Sequence, residues 1–556
     1  MIETSPFVRA RKPRFTPKTS VRIGALVLTA LLGATACGGG GASGSSGATT
    51  DTSTFTYALT GLPTSLDPAD YQGDPSRNIG FEEGSSLFQW DTEKLPNQGC
   101  DTLANVGQLR GELAESQTRG ADGKTITVKL RPAKSSAGNV LTANDVKWTF
   151  DRLIALKVGT PNTLMFSVAH YAKDPIKVVD DSTLEIHVDA ASAMDTAILT
   201  WAQFRILDSV EVKKHVTAED PWGKKFLATT SANFGPWMQT PADFDSGNRL
   251  TLSRNPNYWG PRGEVQKLIF LSVPDASSRA QLLKTGNASY AAGLQYDQYA
   301  SLKTAPGVEV QTCASADRIP FVLNAKDPNL GKPEVRQAVS MAIDRDAIVK
   351  AVFKGFNKPS QFGLSQAYDF PHSAAGTYTF DPVKAKSLLA SAGVTNPTIT
   401  LTMSPARPGP EAEQISILIK SQLAAVGITA NIQTVASATE INTIFHDGSF
   451  QSLLYLEPPA VADPFYSLFL YNSSRSQLNT FGYKNTQLDD LTEQVSSTDP
   501  GPARDKLITS AAEQVVQDPP FIYLVDKQFV HAVRSGFTNY QHTPNGELFV
   551  HTLKRA

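Results

Sequence analysis

The sequence predicts a mixed α/β protein, because strand patterns and helical patterns alternate along most of the chain. The strand patterns place apolar residues at every second position, as in KTITVKL at 124–130. The helical patterns place them three and four residues apart, as in the segment at 141–156. A chain of 556 residues is also longer than one hydrophobic core supports, so roughly two to four domains are expected.

The first 36 residues are predicted to be an export signal rather than part of the fold. Six basic residues and one acid precede an apolar run at 23–32, which is too short to span a bilayer. Small residues then lead to Cys37 in LLGATAC, which resembles a bacterial lipobox with Ala34 where Leu is usual. In such a motif the cysteine receives a diacylglycerol thioether and becomes the new N-terminus. The alternative is an ordinary secretory cleavage beside a coincidental cysteine.

A segment rich in Gly, Ser and Thr, residues 37–53, follows this signal and is predicted to be a flexible tether. The whole chain has 51 basic and 53 acidic residues, a net charge of −2. Because the signal is basic, the remainder is more acidic than this total indicates. Such a balance gives no electrostatic footprint for nucleic acid.

Local signals define several elements of the body. The helix at 141–156 opens with Thr142 and Asp145, which fit a capping box. Another helix is expected to begin after Asp381 as N-cap and to stop before Gly393. Further patterns predict helices at 332–344, 344–355 and 411–427, and a strand at 428–435.

Motifs for catalysis are missing from the sequence, which contains neither G-x-S-x-G nor H-E-x-x-H. The eight histidines have no ligand-like spacing, so each is expected on the surface or in a loop rather than at a metal. The stretch GADGKT at 120–125 mimics a phosphate loop, but Thr118 replaces the first glycine and a strand follows, so a turn is predicted. Cys100 and Cys313 can pair in an oxidising compartment or remain two separate thiols.

Residues 112–153 contain D-G-x-T, a strand, L-R and then L-T-A-x-D-V. In this order the motifs resemble family 5 of the bacterial extracellular solute-binding proteins. Further blocks agree in order, at 64–69, 234–260, 335–355 and 381–393. Trp237 stands where the family usually has Tyr. The resemblance covers essentially all of 54–556.

The resemblance implies a two-lobed, periplasmic-binding-protein-like α/β fold of the class II type, with an extra domain inserted in the first lobe. A ligand would bind in the cleft between the lobes, which close over it. The expected segments are a lipoprotein signal peptide at 1–36, a tether at 37–53, a first lobe at 54–87, 205–290 and 515–556, an inserted domain at 88–204, and a second lobe at 291–514.

One expected wall of the ligand site is the loop at 67–78, directly after the first strand. In peptide-binding relatives this loop offers backbone groups and an acid to the ligand. The matching positions here are Tyr71, Gln72, Gly73 and Asp74. The alternative is a surface turn rich in Asp, Gly and Pro.

The other expected wall is the segment at 453–474. Peptide-binding relatives carry an Asp three residues before an Asp-Pro pair, where it contacts the α-ammonium of the peptide. Here the pair begins at Asp463, and the matched position is Ala460. Either Glu457 substitutes for the missing acid, or the ligand carries no α-ammonium. Tyr455 is expected either to stack on the ligand or to be a strand-face aromatic.

The resemblance implies the substrate-binding lipoprotein of an ABC importer, which captures a peptide or similar small organic solute and delivers it to permease and ATPase subunits. It implies no catalysis, cofactor or metal ligand, and a monomer held on the outer face of the cytoplasmic membrane by Cys37. A surface sensor on the same fold is an alternative. A secreted hydrolase is disfavoured because the sequence lacks every recognised nucleophile or metal motif.

Overall fold

The structure, a computed structural model, describes residues 53–71, 73–103 and 106–556. The predicted export signal, the lipid-anchor candidate Cys37, most of the tether and Gln72 lie outside the described residues. The described part belongs to one unit, 50–556. The boundaries expected for two lobes and an inserted domain therefore remain predictions.

The strands are mostly short, and two long strands stand out among them. In chain order they are β1 Thr54–Leu59, β2 Phe88–Trp90, β3 Leu109–Gly111, β4 Ala114–Arg119, β5 Thr125–Leu130, β6 Tyr171–Asp180, β7 Thr183–Val188, β8 Trp237–Met238, β9 Phe244–Asp245, β10 Arg249–Arg254, β11 Lys267–Ser272, β12 Tyr290–Ala291, β13 Val308–Leu323, β14 Lys358–Pro359, β15 Thr398–Met403, β16 Thr429–Thr434, β17 Ser452–Leu454, β18 Phe521–Arg534, β19 Phe537–Thr538, β20 Gln541–His542, β21 Leu548–Phe549 and β22 Lys554–Arg555.

The helices alternate with these strands, as the sequence predicts. They are α1 Gly73–Glu83, α2 Ala143–Ala155, α3 Gly159–Thr163, α4 Ser209–Lys213, α5 Lys224–Leu227, α6 Ala276–Thr285, α7 Tyr296–Leu302, α8 Pro333–Ala342, α9 Arg345–Phe353, α10 Pro382–Ser391, α11 Ala412–Ala425, α12 Ala438–Asp447, α13 Pro464–Ser467, α14 Thr486–Ser497 and α15 Pro502–Gln517. Within the described ranges, no helix combines the length and the apolar character that crossing a bilayer requires.

One large sheet organises the fold, in the order β16-β15-β17-β13-β18-β12-β1-β11-β10-β8. On one side, β16, β15 and β17 are parallel to one another. On the other side, β12, β1 and β11 are parallel. The antiparallel strands β13 and β18 lie between these two sets, so this pair joins the two halves of the sheet.

The β13–β18 pair changes register at its middle. Val308 to Ala314 pair with Arg534 to Gln528, and the pairing resumes at Arg318 with Asp526. The residues between Ala314 and Arg318 form an irregularity of the kind that bends a strand and increases its twist. The first half of the pair adjoins β12, and the second half adjoins β17 and β14.

Separate apolar clusters cover the two halves of the sheet. One half buries aromatic and aliphatic residues of β1, β10 and β11, including Phe55, Tyr57, Leu250, Leu268 and Phe270. The other half buries residues of β13, α8, β15, α11 and β18, including Phe321, Val339, Leu401, Ile419 and Leu524. Separate cores on the two halves fit a two-lobed arrangement. A further cluster packs Val322, Leu453 and Phe521 of the second half with residues between Leu87 and Phe234.

The predicted strand at 124–130 and helix at 141–156 are confirmed as β5 and α2. Strand β5 belongs to a small antiparallel sheet of order β4-β5-β7-β6. Helix α2 packs on β6. The predicted capping box is present, since the Asp145 carboxylate accepts hydrogen bonds from the backbone N–H and the hydroxyl of Thr142 at 2.8 and 3.0 Å. GADGKT forms the predicted turn, in which the Asp122 carboxylate accepts from the backbone N–H of Lys124.

The other local predictions also agree with the structure. Asp381 is the N-cap of α10, and its carboxylate accepts from the backbone N–H of Lys384 at 2.9 Å. Gly393 follows α10 and Gly427 follows α11, with φ of 68° and 90°, a left-handed conformation that favours glycine. The strand predicted at 428–435 is β16.

The sequence leaves the pairing of Cys100 and Cys313 open, and in the structure they form a disulfide. It joins the segment after β2 to strand β13. The prediction that each histidine lies on the surface or in a loop is wrong for His531 and His542. Both lie in strands and are buried, with 2% and 4% of their surface exposed. Sequence spacing does not indicate this burial, because distant segments cover both rings.

Candidate functional site

The candidate site lies where parallel strands of one half-sheet end. β15 and β17 are parallel neighbours, so their carboxyl ends meet at the same edge of the sheet. Arg407 follows β15 by four residues, and Glu457 follows β17 by three. In open α/β sheets, ligands bind outside the carboxyl ends of the strands. The loop at 67–78 follows the carboxyl end of the parallel strand β1 in the other half.

Glu457 lies directly against the central strand pair. Its backbone N–H donates to the carbonyl of Arg318 at 2.9 Å, and its carbonyl accepts from the N–H of Arg318 at 3.0 Å. Arg318 is the residue at which the β13–β18 pairing resumes after the irregularity. Glu457 is therefore fixed at the junction between the two halves of the sheet.

Arg318 already has a full set of partners. Its Nε donates to Asp526 Oδ1 at 2.9 Å, and its other nitrogens donate to the carbonyls of Phe362 and Gly363. The guanidinium also lies 3.5 Å from the centre of the Tyr523 ring. Because Asp526 neutralises this cation, Arg318 is not available as a dedicated counter-ion for Glu457.

The Glu457 side chain is fully buried. Neither of its carboxylate oxygens has a hydrogen bond of normal geometry to any residue that the structure describes. Burial raises the pKa of Glu457 to about 7, although the Arg318 charge and the nearby Ser467 and Tyr523 hydroxyls act in the opposite direction. A buried polar group without partners is costly, so this carboxyl is suited to receive a cationic or hydrogen-bond-donating group.

Other polar atoms near Glu457 also lack a hydrogen bond of normal geometry among the described residues, although the Ser467 hydroxyl lies close enough to Glu457 to lower its pKa. They are the Ser467 hydroxyl, the Tyr368 hydroxyl and the Asn472 side-chain oxygen. All three residues have less than a tenth of their surface exposed. A group of unsatisfied atoms in one buried region is unusual in a folded protein and indicates a place where further hydrogen bonds can form.

Tyr455 lies in the apolar interior beside this region. Its ring stacks on Phe445 with ring centres 4.3 Å apart, and its hydroxyl donates to Asn442 Oδ1 at 2.9 Å. The guanidinium of Arg407 lies 4.8 Å from the centre of the ring and donates to the Leu456 carbonyl at 3.0 Å. The strand-face environment is therefore present, and stacking on a ligand stays a prediction.

Arg407 is a candidate that the sequence reasoning missed. Its Nε has no hydrogen-bond partner in the described part of the chain. A charged residue just after a buried strand of a parallel pair was the available signal, because the carboxyl ends of such strands line crevices.

Asp463 is engaged in a structural contact. It is the N-cap of α13 and accepts from the backbone N–H of Phe465 at 2.8 Å. Its carboxylate also accepts two hydrogen bonds from Arg504, at 2.9 and 2.7 Å, in a buried ion pair. Ala460, the position matched to the family's acid, is buried and provides no charge. Ligand contact by either residue stays a prediction.

Of the first predicted wall, Tyr71 lies in a different apolar cluster. Tyr71 is buried, packs with Phe81 and Phe549, and its carbonyl accepts from Gln203 Nε2 at 3.3 Å. Gly73 begins α1, and Asp74 is its second residue. In the described part of the chain, no hydrogen bond or ion pair joins Tyr71 to Glu457 or its neighbours. The structure thus brings the residues of the second wall into one region, and contact between the two walls stays a prediction.

A small cavity of about 10 Å³, roughly the space for one water molecule, adjoins Tyr71. Its lining includes the charged residues Glu83 and Arg205, and burial raises the pKa of Glu83 to about 7. The Glu83 carboxylate accepts from Asn233 Nδ2 at 3.1 Å and from the Ser231 hydroxyl. These contacts engage Glu83 Oε1, whereas Glu83 Oε2 has no partner among the described residues; Glu457 differs in that both of its oxygens lack one.

A sequence model described as Bacterial extracellular solute-binding proteins, family 5 Middle, matches residues 108–479, more than half of the chain. The chain belongs to this family. The glutathione-binding protein GsiB of Escherichia coli strain K12 is 25% identical to this family 5 protein over 497 residues, covering 87% of this chain and 90% of the relative. The probable D,D-dipeptide-binding periplasmic protein DdpA of the same strain is 25% identical over 487 residues, covering 87% and 90%.

Solved structures agree with the fold of this family 5 protein. HbpA2 from Haemophilus parasuis aligns with a TM-score of 0.77 at 20% identity, covering 90% of this chain and 100% of that chain. DppA from Helicobacter pylori, in complex with the peptide STSA, aligns with a TM-score of 0.71 at 20% identity, covering 90% and 98%. The predicted two-lobed periplasmic-binding-protein fold is confirmed. The protein is a solute-binding component of the ABC-importer type, in a family of substrate-binding proteins rather than enzymes.

Proposed function

We propose that this protein captures a peptide or similar small organic solute through a cationic group that binds Glu457, and delivers it to the permease and ATPase subunits of an ABC importer without chemical change. The observation that carries the proposal is the buried, unpartnered carboxyl of Glu457 at the junction of the two half-sheets. The relatives, which include a glutathione-binding protein and a binding protein in complex with a peptide, support this ligand class.

The electrostatics favour a cationic ligand group. An ionised carboxyl in the protein interior needs a counter-ion, and the neighbouring Arg318 is neutralised by Asp526. A ligand ammonium would supply that charge and form charge-assisted hydrogen bonds, the stronger class of hydrogen bond in proteins. The unpartnered atoms of Ser467, Tyr368 and Asn472 would hold polar groups of the same ligand.

The other predicted site residues have secondary roles in the proposed binding. Tyr455 and Ala460 would form the apolar side of the second wall. Asp463 would act through Arg504 by holding the segment that carries Glu457 and Ser467. The first wall, formed by Tyr71, Gln72, Gly73 and Asp74, would approach when the two lobes close over the solute.

The location of the protein is also part of the proposal. Cys37 would carry the lipid that holds a monomer on the outer face of the cytoplasmic membrane, with residues 37–53 as the tether. The order of basic segment, short apolar run and small residues before Cys37 supports this anchor. The lobe boundaries expected from the family resemblance belong to the same proposal.

Binding measurements on Glu457→Gln test the proposed contact. Mass spectrometry of the purified protein would identify the co-purifying solute, and calorimetry would give its dissociation constant. We expect Glu457→Gln, which keeps the shape and removes the charge, to weaken binding about ten- to hundredfold, the loss of one charge-assisted contact.

Glu440→Gln is the matched control, because Glu440 is exposed on α12 and should leave the affinity unchanged. Equal affinity of wild type and Glu457→Gln for a cationic solute would contradict the role of Glu457. Scattering measurements would show a smaller radius of gyration with bound solute if the lobes close over it.

A further inference from the structure

Three potential metal ligands converge away from the Glu457 region. The ligand atoms of Cys100, Cys313 and His542 all lie within 4.8 Å of one another, and all three residues are buried. The two sulfurs form the disulfide, and Cys313 Sγ lies 3.3 Å from His542 Nδ1. The three residues come from segments far apart in the chain, so only the fold brings them together.

Contacts other than the disulfide also hold these segments together. The backbone N–H of Ala314 donates to the carbonyl of Cys100 at 2.6 Å. Gln98 Nε2 donates to Asn539 Oδ1 at 3.1 Å, close to His542 in sequence. These hydrogen bonds should keep the cysteines and the imidazole near one another when the sulfur–sulfur bond is absent.

A second observation points to a ligand at this cluster. His531 is 2% exposed, and its Nε2 has no hydrogen-bond partner among the described residues. Its ring centre lies 5.3 Å from that of His542, while its Nδ1 is 3.2 Å from the Tyr290 hydroxyl. The buried His531 imidazole therefore adjoins that of His542 and has a nitrogen without a hydrogen bond, although it lies outside the group of three converging ligands.

We propose that reduction of the Cys100–Cys313 disulfide converts this cluster into a binding site for one thiophilic divalent cation such as Zn²⁺. Two molecules of a small thiol supply two electrons and two protons, so the thiol becomes a disulfide and the protein gains two thiols. Cation binding then releases both thiol protons, because thiolates are the metal ligands.

The resulting donor set fits the chemistry of zinc. Two thiolates and one imidazole form three positions of a tetrahedral Cys/His site, and a water or, after rearrangement, the neighbouring His531 would take the fourth. The oxidised pair has no thiolate and cannot supply this set. The site and the disulfide are therefore mutually exclusive states of the same residues.

Cobalt binding tests the proposal on the full chain carrying Cys37→Ser, in which Cys100 and Cys313 are the remaining cysteines. A phosphine reductant, which takes up oxygen from water as it reduces the disulfide, avoids competing thiols. We expect one Co²⁺ per reduced chain with a thiolate-to-cobalt charge-transfer band, and no such band for the oxidised chain. With Zn²⁺, X-ray absorption should give sulfur at about 2.3 Å and nitrogen at about 2.0 Å.

Variants separate the site from general exposure of thiols. His542→Ala should lower the Co²⁺ affinity at least tenfold, whereas His446→Ala, at an exposed histidine, should leave it unchanged. The proposal is overturned if the reduced chain gives no charge-transfer band or if His542→Ala binds as tightly as the parent. Loss of the native circular dichroism spectrum on reduction would also overturn it, because the site requires the folded arrangement.

Discussion

Glu457 differs from the other buried acids near the β13–β18 pair in the partners that surround it. Asp526 accepts from Arg318, and Asp463 accepts two hydrogen bonds from Arg504. Glu457 has hydroxyls and a shared cation nearby, but burial dominates and raises its pKa to about 7. The protonation of this single side chain should therefore change near neutral pH.

A pH titration of stability tests this shift. The folded-state pKa of about 7 exceeds the ordinary value of 4.5, so the folded protein retains a proton that the unfolded chain releases. The contribution of Glu457 to the unfolding free energy should fall as pH rises from 4.5 to about 7, and stay constant above it. Denaturation of wild type and Glu457→Gln across this range measures the difference, which also cancels the other buried acids. Parallel pH profiles for the two proteins would contradict the shift.

The local sequence predicts some site residues but not the residues that they contact. Glu457 is a candidate because it precedes the Asp463-Pro464 pair, a feature that is local in the sequence. The ion pair of Asp463 with Arg504 joins residues 41 positions apart, which no local pattern predicts. Arg407 was missed for a related reason, since its proximity to Tyr455 depends on the neighbouring ends of β15 and β17.

At the level of elements, helix boundaries were predictable where side chains cap their own helix. The capping box of α2 and the N-cap of α10 involve residues three apart, so the signal and the contact coincide. The order of strands in the large sheet was not predictable in this way. β13 pairs with β18 about 200 residues later, and their register depends on packing from both half-sheets.

Helix α13 depends on the buried ion pair at its start. Asp463→Asn keeps an oxygen that can cap the helix and removes the charge that pairs with Arg504. We expect the unfolding free energy to fall by about 3–5 kcal/mol, because breaking a buried pair leaves the other charge uncompensated. Urea unfolding followed by tryptophan fluorescence measures this loss.

Asp490→Asn is the matched control for that experiment. Asp490 pairs with Arg475 on the surface, with more than half of the Asp490 side chain exposed. Exposed pairs typically contribute about 0–1 kcal/mol. Equal effects of Asp463→Asn and Asp490→Asn would show that the Arg504 pair is not important for stability.

For the whole molecule, separate cores on one continuous sheet explain why the two halves pack separately and yet remain joined. Each half buries its own apolar residues, while β13 and β18 pass through both halves. The irregularity between Ala314 and Arg318 lies where one half meets the other. A binding protein with this layout can keep each lobe rigid and concentrate bending at the shared pair.

Membrane anchoring is tested with Cys37→Ser in a bacterial host. We expect the wild-type protein in the membrane fraction and labelled by a radioactive fatty acid, because the thioether lipid requires the cysteine sulfur. The variant should lose the label and be released. Ser43→Ala, in the same tether, should behave like wild type. An unlabelled wild type, or a variant that stays membrane-bound, would contradict the anchor.

The position of β18 has a consequence for biogenesis. This strand lies in the middle of the large sheet, yet residues 521–534 are synthesised about 200 residues after their partner strand β13. The central ladder cannot form until both strands are available, and such long-range pairing is intrinsically slow. A chain that leaves the cytoplasm unfolded gains from this delay, since its central sheet closes only after β18 has followed β13 across the membrane.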